Sequence, residues 1–408
     1  MKIDRFYSDV RSVVKNVIII ALGLTLISSC SLFHEPKKDP LDSGEIWASA
    51  YLASWHHRVN GTVDGKTWGN LYTEDIDWEA FTHLFYFNLL PNPDGTLPPV
   101  IDYENVNPDR VISIVESAHQ HNKPILISIG GFNSRDEFVS AFSDDNRDFF
   151  IQNLVDFVNT WGFDGIDLDM QPLEATDADG VIQFVNQLHA ALQDVSTPIL
   201  DKPLLTASVV GSAEIYAQVQ EKFDQINIAT YNMSRPFQGW VTWHNTPLYN
   251  GGHTFPMSGN FPLPSIELKM QDYLTAGIER KKLGIAASFY GYEWSGVSSP
   301  REGWDNNNVP TVPWYGGTPY FELAEKYDLE NPLWDKDARV PYLSITDPET
   351  FVSFDNVRSI EEKIDFVRSE GLGGLLIWEI AGGFRENEDP NKKDVLLQAV
   401  KTKLNQFN

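Results

Sequence analysis

Cysteine is almost absent from this 408-residue chain; Cys30 is the only one. No disulfide can form within a single copy, so the fold rests on non-covalent packing. Positive charge is also scarce, with 31 Lys and Arg against 57 Asp and Glu, a formal net charge of −26. A surface that acidic repels phosphate backbones and anionic headgroups, which argues against nucleic acid as a partner. No apolar run reaches the ~20 residues that a membrane-spanning helix needs. The run near the N-terminus, "VIIIALGLTLI", has 11. His56, His57, His83, His119 and His121 show no metal-ligand spacing, and no metal or cofactor is expected. Neither an internal repeat nor a low-complexity tract is present.

What the N-terminus does contain is an address. Lys2, Arg5, Arg11 and Lys15 precede the apolar run and "SSC" follows it, the pattern of a secretory leader with small residues before a cut. "LISSC" resembles the lipobox of bacterial lipoproteins, in which the cysteine is acylated. The expectation is a signal peptide over 1–29, a lipid anchor at Cys30 and a tether over 30–44, polar and broken by two prolines. The mature protein would sit in the cell envelope, anchored to the outer membrane on its surface or periplasmic face. Loss of the leader, with four basic and two acidic residues, takes the net charge from −26 to −28.

The whole chain is 42% hydrophobic, and its remainder, 45–408, is long enough to bury a large core as one domain. Eight short apolar runs recur along it: "IWASAYL" (46–52), "HLFYFN" (83–88), "PILISIG" (124–130), "FDGIDLD" (163–169), "LLTASVV" (204–210), "QINIATY" (225–231), "LGIAASF" (283–289) and "GGLLIWE" (373–379). Nearly continuous apolar stretches suit strands buried on both faces. Amphipathic helices lie between them. One places Phe150, Leu154, Phe157, Val158 and Trp161 on a single face and stops at Gly162. Eight strands alternating with helices predict an α/β fold, a (β/α)8 TIM barrel whose site lies at the carboxyl ends of its strands. An open doubly wound sheet would show a glycine-rich phosphate turn after its first strand, and "YLASWHHRVNG" has none. The connection from Phe289 to Gly373 is far too long for a barrel loop. Its stretch over 291–350 reads as a small α+β insertion between strand 7 and strand 8.

The chemistry concentrates in "FDGIDLDMQ". Alternation along a strand points Asp167, Asp169 and Gln171 the same way, into the barrel mouth. Stacked inward carboxylates are costly unless they hydrogen-bond or share a proton, so they mark a site. In order along the chain, "SIGG" (128–131), "DGIDLD", "NIATYN" (227–232) and "GGLLIWE" resemble the signatures of family 18 glycoside hydrolases, the chitinase family. The resemblance covers 46–405 and includes the insertion.

That resemblance implies substrate-assisted chemistry, in which the sugar's own N-acetyl oxygen attacks the anomeric carbon. It makes Asp169 the acetamido-holding aspartate, Asp167 its partner, Tyr231 the supporting hydroxyl and Trp378 the floor under the sugar. The proton donor's position is held by Gln171, which can donate a hydrogen bond but has no proton to transfer near neutral pH. Asn232 replaces a second carboxylate. In lacking the acid the chain resembles the chi-lectins.

The expected function is a monomeric surface lipoprotein that binds β-1,4-linked N-acetylglucosamine glycans, chitin-like or an N-glycan core, without efficient cleavage. The alternatives are an active chitinase or endo-β-N-acetylglucosaminidase using another acid, with Glu174 as the nearest candidate, and a protein-binding module on the same fold. Trp55, Trp68, Trp240, Trp243, Trp304 and Trp314 fall in loops that would line the cleft, where sugar stacking and ordinary packing are both open. Of these Trp55, Trp243 and Trp304 are expected to bind substrate, together with Trp378 and Asn232.

Overall fold

The computed structural model describes residues 45–58, 71–98, 108–236, 239–255, 259–304 and 317–407. The expected leader, Cys30 and tether lie outside them. Eight parallel strands close into a barrel: β1 (Trp47–Ala53), β2 (His83–Leu89), β3 (Ile125–Gly131), β4 (Gly165–Met170), β5 (Leu204–Val209), β6 (Gln225–Ile228), β7 (Leu283–Ser288) and β8 (Gly374–Trp378). They follow chain order round the ring, and β8 pairs back onto β1. Each of the eight apolar runs holds one strand, and the chain is a (β/α)8 barrel.

Local sequence sets the helices between them. Arg147–Trp161 stops where Gly162 takes a left-handed φ of 77°, a conformation that glycine adopts without a Cβ clash. Ser265 caps Ile266–Thr275 by accepting from Leu268 N. Asn356 and Ser359 form a reciprocal capping box at the start of Val357–Ser369. Among the described residues no helix is long and apolar enough to cross a membrane.

Strand alternation divides the core in two. Outward residues, among them Ala48, Leu84, Tyr86, Ile127, Ile166 and Leu168, pack against the helices in one continuous cluster. Inward residues Tyr51, Phe85, Phe87, Leu126, Leu204, Ala286 and Leu376 form a second cluster inside the barrel. Toward the amino ends of the strands the interior is polar. Trp47 Nε1 donates to Asn227 Oδ1 (3.1 Å) and Ser49 Oγ to Gln225 Oε1 (2.7 Å). The Trp47 ring fits because β8 begins with glycine; a Cβ on Gly374 would stand 2.3 Å from the indole.

Between β7 and β8 the chain builds a five-stranded antiparallel sheet in the order Thr318–Pro319, Tyr290–Ser295, Glu349–Ser353, Val340–Thr346, Leu333–Asp335, with the helix Tyr320–Lys326 beside it. The segment following β6 is bolted to this insertion by buried polar contacts. His244 Nε2 lies 3.0 Å from Asp335 Oδ2, Arg301 Nη1 donates to the same oxygen (2.5 Å), and Thr246 Oγ1 donates to Asp355 Oδ2 (2.8 Å). Burial works against the Asp335 charge, but the bonds from His244 and Arg301 hold the group below the usual carboxylate range.

Candidate functional site

The carboxyl end of β4 sets the site. Register pairs Asp167 with Ser128 on β3 and Thr206 on β5, so a fully buried carboxylate faces hydroxyls on both sides. Asp167 Oδ2 accepts from Tyr51 on β1 (2.5 Å) and from Ser128 Oγ (2.9 Å), and Oδ1 accepts from Thr206 Oγ1 (2.7 Å). Ser208 Oγ lies 2.5 Å from the Tyr51 phenol, whose proton is already given to Asp167, so Ser208 donates there. Burial raises Asp167 above the ordinary carboxyl range, and the hydroxyls around it oppose that only in part.

One step up the strand, Asp169 is 4% exposed. Burial comes first and the neighbouring Asp167 charge second in holding it well above the usual range; the Gln171 amide pulls the other way. The Gln171 Nε2 group donates directly to Asp169 Oδ1. Backbone bonds fix this end of the strand: Ser134 N donates to Gln171 O (3.0 Å) and Ser134 Oγ to Asp169 O (3.0 Å). The peptide bonds Phe87–Asn88, Gln171–Pro172 and Trp378–Glu379, at the ends of β2, β4 and β8, are cis. The result is a ladder of two carboxyls and one amide. Its raised carboxyls can hold a proton and its groups can offer hydrogen bonds, but its outermost rung is not an acid.

Aromatic rings surround the ladder. Trp378, half-buried at the end of β8, packs edge-on against Tyr51 (4.9 Å between centroids) and Phe87 (4.8 Å), with Tyr231 at 6.1 Å. The Tyr231 phenol is pushed well above its ordinary range by burial and then by the charges of Asp169 and Asp167, so it stays a neutral hydroxyl. Trp55 reaches the same group through Phe87 (5.6 Å). Asn232 sits on the rim with a φ of 56°. Its Oδ1 accepts from the hydroxyls of Tyr290 (2.6 Å) and Tyr292 (2.7 Å), and its backbone N donates to Asn245 Oδ1 (2.7 Å).

Asp167, Asp169, Gln171, Tyr231, Trp378, Trp55 and Asn232 thus lie in one connected network. Trp243 does not. It is completely buried, donates from Nε1 to Pro264 O (2.9 Å) and packs with Val241, Leu263, Ala338 and Val340. The expectation of Trp243 as a substrate-binding wall is therefore corrected: tertiary contacts with the insertion bury it. Trp240 is 46% exposed and packs edge-on against Phe255 (4.8 Å). The side chain of Trp304, and all of Trp68 and Trp314, lie outside the described residues. Glu174 is 63% exposed in its side chain, bonds Arg135 Nη2 (3.1 Å) and forms a capping box with Asp177. Among the described residues no group of three or more His, Cys, Asp or Glu could hold a metal ion.

Several members escaped the sequence reading. Tyr51 shares the inward parity of Trp47 and Ser49, a signal that was available. Ser128 and Thr206 could be found only from the register between strands. The bond between His56 and Glu379 joins residues 323 apart and has no local signature.

Comparison with known proteins gives a consistent answer. The sequence model of "Glycosyl hydrolases family 18" matches residues 48–383. Chitinase A1 of Niallia circulans is 27% identical over 291 residues, 64% of this chain and 41% of that protein. The chain spans under half the length of the first curated relatives it matches. The crystal structure of Ostrinia furnacalis Group IV chitinase superposes with a TM-score of 0.74 at 22% identity, covering 88% of this chain and 100% of that one. A glutamate-to-glutamine mutant of the class V chitinase from Nicotiana tobaccum, in complex with NAG4, superposes with a TM-score of 0.69 at 21% identity, covering 88% and 99%.

Proposed function

This chain belongs to glycosyl hydrolase family 18, and we propose that within it the protein binds β-1,4-linked N-acetylglucosamine glycans without efficiently cleaving them. The observation that carries this reading is the Gln171 amide donating to Asp169, at the position where the resemblance expects a proton donor. Departure of a sugar alkoxide needs a general acid, whose contribution is about 10²–10⁴-fold. An amide supplies none of it. Binding has a different requirement, namely an aromatic floor and polar groups that recognise the acetamido group, and Trp378, Asp169 and Tyr231 fit those roles. A chain of the same fold with a glutamate-to-glutamine change is held in complex with NAG4, which supports the compatibility of an amide with sugar binding.

The second reading, an active chitinase or endo-β-N-acetylglucosaminidase, draws support from the chitinase names of the relatives. It requires another acid. Glu174 is committed to Arg135 and to a helix start.

Calorimetric titration with chitotetraose and with its fully deacetylated counterpart tests the binding claim. Selective binding of the acetylated sugar supports it; equal affinity for both, or no binding, overturns it. The anchor is part of the same proposal: acylation of Cys30 would hold the barrel at the outer membrane. Cys30→Ser should move the protein out of the membrane fraction, and unchanged association would remove the anchor from the account.

A further inference from the structure

Just behind the ring cluster lies a pair that the proposed chemistry does not use. Beyond β1 the chain turns at Ala53–His56, closed by His56 N donating to Ala53 O (2.9 Å). Ser54 N donates to Phe87 O (2.7 Å), which ties this turn to the end of β2. On the other side the link is made by side chains. His56 Nδ1 lies 2.7 Å from Glu379 Oε1, the residue after β8, and donates to that carboxylate. Glu379 Oε2 accepts from Ala381 N (3.3 Å) and, at longer range, from Ala53 N (3.4 Å). Both residues are buried, His56 at 9% and Glu379 at 5% exposed. Each directly follows an aromatic residue of the site, Trp55 or Trp378, and both indoles pack on the one Phe87 ring.

We propose that the His56–Glu379 pair is a clasp that positions the Trp55 and Trp378 indoles as one aromatic surface at the barrel mouth. Neither member needs to touch sugar. With the clasp in place, the β1 turn is pinned to β2 through the backbone and to β8 through the glutamate, so both indoles keep fixed places around Phe87. Without it, the turn bearing Trp55 loses its shorter link to Glu379 and keeps the longer one from Ala53 N (3.4 Å), and Glu379 is a buried carboxylate with one donor fewer. Preorganised aromatic surfaces bind better because less ordering remains to be done on binding. The affinity arm of the test rests on the glycan-binding reading; the spectroscopic arm does not.

The experiment follows the twelve tryptophan indole N–H resonances of the ligand-free protein, with those of Trp55 and Trp378 assigned through Trp55→Phe and Trp378→Phe. His56→Ala removes the donor and leaves the Glu379 helix cap intact. Glu379→Ala removes the acceptor, and Glu379→Gln keeps an acceptor for His56. In the two alanine variants the Trp55 and Trp378 signals should shift or broaden while the rest hold, and Glu379→Gln should keep the natural pattern. Chitotetraose affinity should fall about tenfold in His56→Ala and stay within about twofold in Glu379→Gln. Unmoved Trp55 and Trp378 signals in His56→Ala overturn the clasp, as does a uniform change across all twelve, which marks general loosening. Responsive indoles in a protein that binds no chitotetraose uphold the clasp and refute the glycan-binding function.

Discussion

Removing the Trp378 ring separates the contributions of the barrel floor most clearly. A large aromatic side chain can bury about 150–250 Å². Trp378 already spends part of that on Tyr51 and Phe87, both edge-on, and is half-buried. One remaining indole face of roughly 80 Å², covered by the C–H face of a pyranose, stabilises a complex by about 2 kcal/mol at ~25 cal/mol per Å². That corresponds to about a 30-fold loss of affinity for Trp378→Ala, since each ~1.4 kcal/mol is tenfold. The same substitution removes ring contacts inside the barrel and should lower stability by about 1–3 kcal/mol. Trp378→Phe, which keeps an aromatic ring, is the control for that structural loss. Calorimetry with chitotetraose at a temperature where all variants are folded should order them natural, Trp378→Phe, Trp378→Ala. A Trp378→Ala protein that binds within about twofold of the natural chain would refute the placement of the sugar on this floor.

Other substitutions probe the ladder and the corrected residue. Burial and the Asp167 charge raise Asp169, so the fold favours its protonated form. Its contribution to stability is therefore complete below the ordinary carboxyl range and is lost as pH rises through the elevated value. Denaturant melts across pH should show Asp169→Asn gaining on the natural protein as pH rises, and a gain toward acid pH would contradict the assignment. Trp243→Phe opens a cavity and loses the bond to Pro264, which should reduce stability by about 1–3 kcal/mol. Its chitotetraose affinity should be unchanged, and a tenfold loss there would return Trp243 to the cleft. Glu174→Gln should leave any residual hydrolysis unaltered.

Much of this site is legible in the sequence because a strand has a strict period of two. Asp167 and Asp169 share parity, Trp47, Ser49 and Tyr51 share theirs, and a closed barrel turns equal parity into a common interior. The eight strands emerge for a related reason: strands buried on both faces must be apolar almost throughout. What the sequence does not carry is the pairing between distant segments. Trp243 lies in a polar stretch after β6 that looks like a cleft loop, and it is buried where His244 and Thr246 find acids 91 and 109 residues away on the insertion and its flank. Glu379 has the parity opposite to Trp378 and reads as an outward residue; its bond to His56 comes from a turn 323 residues away. Glu174 looks available until Arg135 is seen beside it.

On the proposed reading the chain keeps the sugar site and lacks the proton donor. The direct measurement is turnover of labelled chitotetraose by the natural protein and by Gln171→Glu, under identical conditions and at saturating sugar. A glutamate at 171 would meet an existing Asp169, Tyr231 and Trp378, so hydrolysis should rise by at least about 100-fold. Rapid turnover by the natural chain, with no gain in Gln171→Glu, would show that another acid drives cleavage and would contradict the account.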